Sequence, residues 1–143
     1  MLFRSIHAVN REGGQVLGFE CSASLQSVGR DVDLALVAVP DEALVEVVTD
    51  AATVGVRGLV IVTDPEHGRL ARRREVVAAA REGGMRIIGP AALGIINTDP
   101  EVRLNASLAP EVPRRDSIGF FCQSGALGID ILARVQQIGR AHV

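Results

Sequence analysis

The feature that most constrains the fold is a repeated alternation of strand-length apolar runs with helix-length amphipathic stretches. Residues 33–39 (Asp-Leu-Ala-Leu-Val-Ala-Val) form a nearly continuous apolar run, as expected of a strand covered on both faces of a parallel sheet. Pro40 ends the run, and Asp41 is placed to cap a helix reaching to residue 54. In that stretch Leu44, Val45, Val47, Val48, Ala51 and Ala52 give the stripe of a helix, and Gly55 is a stop. The pattern then repeats. Residues 58–63 read as a strand, 64–69 as a loop, and 70–82 as a helix with Val76, Val77, Ala79 and Ala80 on one side, stopped by Gly83-Gly84. A third strand at 85–88 ends at Gly89-Pro90. Short links between such elements predict a parallel sheet with right-handed crossovers, an α/β fold of doubly wound, Rossmann-like type.

Around this centre the pattern is less regular. Residues 6–9 read as a strand and 10–18 as a polar turn, in which Gly13-Gly14 precedes no helical pattern. Folds of this type open with a strand and a glycine-rich turn whose amides receive phosphate. None precedes Ile6, so the expectation is a domain over residues 1–108 that lacks its first βα unit. Residues 93–97 and 103–107 read as short extended pieces. The Pro-rich, charged stretch 109–116 suits an interdomain linker. Residues 117–121 read as a new strand leading into a helix from Ala126, the first βα unit of a second domain over 117–137. The last six residues, 138–143, match what a common sequencing adapter encodes in one frame and are expected to stand outside the fold; the alternative is a natural helix end capped by Gly139.

Composition narrows the function classes. Of 143 residues, 48% are hydrophobic and 22% charged, too apolar for a disordered chain. A net charge of −2 gives no electrostatic reason to expect nucleic acid or an anionic membrane as partner. No apolar run approaches the ~20 residues that span a bilayer, and the first residues lack the pattern of a signal peptide, so a cytoplasmic protein is expected. Cys21 and Cys122 are far apart and suggest two buried, reduced thiols rather than a metal or redox motif. All 15 basic residues are arginines, which points to a GC-rich genome rather than to a use for arginine.

In open α/β sheets ligands bind beyond the carboxyl ends of the strands. That rule selects Asn10, Arg11, Val39, Pro40, Thr63, Asp64, Gly89, Pro90 and Ala91. As a set they predict a nucleotide-like ligand, although each is also an ordinary turn residue. A sharper feature is the turn Gln123-Ser124-Gly125-Ala126, where a strand is expected to enter a helix. Free amides at Gly125, Ala126 and Leu127, with the helix dipole, make an anion site to which the Ser124 hydroxyl can add a bond. An ordinary serine cap with glycines for close packing fits the same residues. No catalytic constellation is visible: His7 and His67 read as structural or solvated, Arg72-Arg73-Arg74 as a solvated helix face, and Cys122 has no partner base.

Five blocks occur here in the order found in the NDP-forming acyl-CoA synthetases. They are residues 32–40, residues 55–62, Gly89-Pro90 with Leu93-Gly94-Ile95-Ile96-Asn97, residues 103–110 (Arg-Leu-Asn-Ala-Ser-Leu-Ala-Pro), and residues 123–128 (Gln-Ser-Gly-Ala-Leu-Gly). The chain resembles that family over residues 9–135. The family includes ADP-forming acetate–CoA ligases, the α subunit of succinyl-CoA synthetase and ligase-like fusions to a GNAT acetyltransferase; the Phe-Phe-Cys-Gln-Ser-Gly-Ala form looks most similar to the fusions. The resemblance implies a CoA-binding Rossmann-like domain followed by the start of a flavodoxin-like ligase domain. It also implies coenzyme A or acyl-CoA over the strand ends near Pro40, Thr63 and Gly89-Pro90, and phosphate or phosphohistidine at Ser124-Gly125. The phosphorylated histidine and the ATP-grasp region or subunit lie outside the stretch present, so the chain alone is expected to be inactive. Two departures stand out: Ala91 replaces a usual Asn, and residues 62–68 differ from the usual glycine-rich turn. Two other readings remain at this stage, a non-catalytic CoA-sensing module and an NAD-dependent Rossmann oxidoreductase. The oxidoreductase requires a G-x-G-x-x-G turn that the sequence does not offer.

Overall fold

A computed structural model of the chain describes residues 5–64, 70–115 and 118–138. Expectations for the loop at 65–69 with His67, for Asp116 and Ser117, and for the tail at 139–143 lie outside these residues. The order is β1 (Ala8–Val9), β2 (Gln15–Val16), β3 (Phe19–Ser22), β4 (Leu34–Val37), α1 (Leu44–Thr53), β5 (Gly58–Ile61), α2 (Leu70–Glu82), β6 (Arg86–Ile88), β7 (Gly94–Asn97), β8 (Leu104–Ser107) and α3 (Gly125–Ile138).

The centre is the parallel sheet β4-β5-β6, with Ala35 beside Leu59, Leu59 beside Ile87, and Val37 beside Ile61. These residues share one face of the sheet, because side chains alternate along a strand. Val37, Leu59 and Ile61 enter one core with Leu44, Val48 and Ala51 of α1 and Val76 and Ala80 of α2. Both helices therefore cover the same face. Leu44, Val48 and Ala51 recur at helical spacing and are fully buried. Each large side chain so buried contributes about 1.5–3 kcal/mol. That burial holds a helix whose valines are weak helix formers.

Both helices end alike. Gly55 (φ +76) and Gly84 (φ +70) take the left-handed conformation that glycine adopts without strain. After α1, the amides of Gly55 and Val56 donate to Ala52 O (3.1 Å) and Ala51 O (3.0 Å). After α2, those of Gly84 and Met85 donate to Arg81 O (3.0 Å) and Ala80 O (2.9 Å). Each is a Schellman motif, and the next residue, Val56 or Met85, is buried and turns the chain into its strand. At Gly83 a Cβ would lie 2.6 Å from the Ala52 Cβ, so a glycine there lets α2 approach α1.

Several expectations change. The segment 41–54 is not one helix: residues Asp41–Ala43 form a 3-10 turn, the α-helix starts at Leu44, and its cap position is Ala43 rather than Asp41. The segment 10–18 is not all turn, because Gln15 and Val16 pair antiparallel with Glu20 and Phe19. β3, whose first two residues are exposed and the second of them charged, carries no continuous apolar signal in the sequence; it pairs parallel with β1. The parallel strands thus fall in two sheets, β1-β3-β2 and β4-β5-β6. Residues 93–97 and 103–107 form an antiparallel hairpin. Residues 118–121 do not form the expected strand: Ile118 is 83% and Phe121 89% exposed, with no neighbouring strand among the described residues to supply a ladder. The two cysteines are free but half-buried rather than buried.

Candidate functional site

The carboxyl ends of β4, β5 and β6 are tied into a single ledge by main-chain hydrogen bonds. Val62 N donates to Val37 O (3.0 Å), Ala91 N to Thr63 O (2.9 Å) and Ala92 N to Ile61 O (3.1 Å). The Thr63 hydroxyl donates to Val39 O (2.7 Å), closing the set across β4 and β5. Val39, Thr63 and Ala91 are thus brought together, with Pro40 and Gly89-Pro90 next to them in the chain. Ala91 holds a left-handed φ of +60 and presents its methyl to solvent.

Gly89 explains why the ledge is so close-set. Its φ is +109, and a Cβ there would lie 2.4 Å from Ile61 O. Only glycine permits this approach of the segment after β6 to the end of β5. Gly94 meets the same constraint at the start of β7, where a Cβ would stand 2.3 Å from Ala106 O.

The anion-site candidates stand beside this ledge. The Leu127 amide donates to the Ser124 hydroxyl (3.3 Å) and the Gly128 amide to Ser124 O (2.9 Å), so Ser124 is the N-cap of α3. Added Cβ atoms at Gly125 and Gly128 would lie 3.8 Å and 3.0 Å from Leu93, two residues beyond Ala91. The approach is tight only at Gly128, whereas Gly125 leaves room for an ordinary contact; this packing sets the amino end of α3 against the ledge segment. Gln123, Ser124 and Ala126 are exposed there, and Gly125 is half-buried. Leu93 is the residue that sequence reasoning missed; its only signal was a place in a shared block.

Asn10 is not part of the set. Its carboxamide oxygen accepts from the Glu12 amide (3.0 Å), and its backbone bonds Ser22 and Gly13, so it shapes the turn after β1. That turn is held to α1 by an ion pair, Arg11 to Glu46 (3.0 Å). Asp64 is held by Arg73 (3.0 Å) at the start of α2. At the opposite, amino ends of β4 and β5, Arg57 bonds Asp33, whose hydrogen bond and charge raise the arginine pKa above its ordinary value. Among the described residues no cluster of three His, Cys, Asp or Glu is placed to hold a metal ion, and no helix is long and apolar enough to cross a membrane.

Known proteins are similar to this chain in sequence and fold. An ADP-forming acetate–CoA ligase I of Archaeoglobus fulgidus is 33% identical over 90% of this chain and 19% of its own length. The α subunit of an ADP-forming acetate–CoA ligase II of Pyrococcus furiosus is 35% identical over 89% of this chain and 28% of its own. The apo structure of a dinucleotide-forming acetyl-coenzyme A synthetase 1 of Ca. Korarchaeum cryptofilum superposes with a TM-score of 0.77 at 31% identity, over 88% of this chain and 28% of that one. The chain thus spans under a third of each of these relatives. Residues 4–98, which contain the whole ledge, match the CoA binding domain family. With its ledge at the parallel-strand ends and the fold of these relatives, the chain belongs to the CoA binding domain family.

Proposed function

We propose that this chain is the CoA-holding portion of an NDP-forming acyl-CoA ligase such as an acetate–CoA ligase. The observation that carries the reading is the ledge of Val39, Thr63 and Ala91. Its side-chain surface is apolar, because the Thr63 hydroxyl is used within the ledge. It suits the uncharged pantetheine arm of a CoA thioester, with Pro40, Gly89 and Pro90 forming the rest of the seat. Asn10 shapes the turn that Arg11 ties to Glu46 of α1.

In the parent reaction phosphate attacks the thioester carbonyl, CoA leaves as the thiol, and acyl phosphate forms. The phosphoryl group passes to a histidine elsewhere in the parent and then to a nucleoside diphosphate, releasing the carboxylate. In this reading the Gln123, Ser124, Gly125 and Ala126 segment receives phosphate or phosphohistidine at the amino end of α3. Support comes from Leu93, which packs that helix end two residues from Ala91. An ATP-grasp region or subunit completes the catalyst, in line with a relative named as an α subunit. The domain division is residues 1–108 for CoA, a linker at 109–116, and the start of the ligase domain at 117–137, working in the cytoplasm.

The test is thermal denaturation with CoA, acetyl-CoA or NAD. A ligand at about 100 times its Kd stabilises by about 2.7 kcal/mol. CoA and acetyl-CoA are expected to raise the Tm and NAD to leave it unchanged. A shift with NAD alone returns the chain to the oxidoreductases.

A further inference from the structure

Residues 103–110 form a block to which the CoA seat gives no role. Within it, Asn105 and Ser107 of β8 flank buried Ala106, so their side chains share the other face of the strand. Both are half-buried. The Ser107 hydroxyl donates to the Asn105 carboxamide oxygen (2.7 Å) and accepts from the Ala109 amide (3.3 Å). These bonds turn the carboxamide oxygen toward Ser107 and leave the amide nitrogen, with its two protons, directed away from it. Among the described residues that nitrogen donates no hydrogen bond. A half-buried donor without an acceptor is destabilising, and an acceptor on a ligand removes that cost.

The hairpin holds this group beside the span that joins the ledge to α3. Leu108 N donates to Leu93 O (2.8 Å), and Ser107 stands across from Gly94, where an added Cβ would lie 2.6 Å from the Ser107 Cβ. With CoA on the ledge and phosphate at the amino end of α3, the thioester carbonyl has to lie over residues 91–94, where Ala91 offers only a methyl group. We propose that the Asn105 amide nitrogen donates to that carbonyl oxygen, while Ser107 holds the carboxamide in the required orientation. This rests on the CoA-ligase reading above. A donor at that point stabilises the negative charge that develops on the oxygen as phosphate attacks. Free CoA carries a thiol where the thioester has its carbonyl and makes no such bond.

The test is calorimetric titration of CoA and of acetyl-CoA into the chain and into its Asn105→Ala and Asn105→Asp variants. In Asn105→Asp, which is nearly isosteric, the carboxylate still accepts from Ser107 but donates nothing. In both variants the ratio of the acetyl-CoA Kd to the CoA Kd is expected to rise about fivefold, the net contribution of one hydrogen bond. Ser107→Ala, which frees the carboxamide to turn, is expected to move the ratio in the same direction. A residue that only shapes the hairpin would weaken both ligands alike and leave the ratio unchanged. An unchanged ratio in the two Asn105 variants overturns the proposal while the CoA reading stands. Failure of the unaltered chain to bind either ligand overturns both. Circular dichroism melting checks that the variants are folded.

Discussion

Replacing Gly89 by alanine tests the ledge from its tightest point. The added Cβ would stand 2.4 Å from Ile61 O and 3.3 Å from the Ala92 Cβ, and the backbone there has φ +109. Holding an alanine in so sparsely populated a conformation costs about 1–3 kcal/mol. The clash is with the carbonyl that accepts the Ala92 amide, so relieving it lengthens or breaks that bond, at a further cost of about 0.5–1.5 kcal/mol. The sum is about 1.5–4.5 kcal/mol. Gly84→Ala is the matched control: its φ is +70, but nothing lies within 4 Å of the new Cβ, so only the conformational cost of about 1–2 kcal/mol applies. Urea denaturation followed by circular dichroism measures both. Gly89→Ala is expected to be the more destabilising and to weaken CoA, because the seat itself moves. Equal losses for the two variants would refute the close-approach argument.

Further expectations concern single elements. Ala91→Asn is expected to stabilise the fold by about 0.5 kcal/mol in urea titrations, since asparagine accepts the left-handed φ of +60 more readily than alanine; a loss of stability contradicts this. Ser124→Ala removes the N-cap of α3 and is expected to cost about 1 kcal/mol of stability. The same change is expected to weaken phosphate binding, read as reduced ³¹P line broadening, and unchanged broadening argues against an anion site. Among the described residues β4 is an edge strand of its sheet, and Leu36 within it is 49% exposed. Leu36→Lys is therefore expected to lower self-association in light scattering while changing stability by less than about 0.5 kcal/mol. Unchanged scattering removes that edge as the cause.

Local signals made the centre of the fold legible. The helix expected at 70–82 is Leu70–Glu82, because glycines 83 and 84 end it by a mechanism written in the chain. Pairing that depends on distant residues was not legible. The apolar run at 118–121 has the composition of a strand but no ladder partner among the described residues, whereas exposed Phe19 and Glu20 pair with β2 and the two residues after them with β1. The site shows the same division. The strand-end rule selected Val39, Thr63 and Ala91, which lie together in the structure, because strand ends can be read locally. It gave no hint that main-chain bonds join them, or that Leu93 sets α3 beside them, since neither depends on side-chain type alone.

The most direct test of the central claim is calorimetric titration of CoA into this chain and into a variant with the ledge filled by Ala91→Arg. The side chain at 91 is exposed, so the longer group is accommodated without disturbing the core. The account predicts one CoA per chain and at least a tenfold weaker Kd in the variant, a difference of about 1.4 kcal/mol. CoA binding of equal strength in both chains would place the ligand elsewhere and contradict the account.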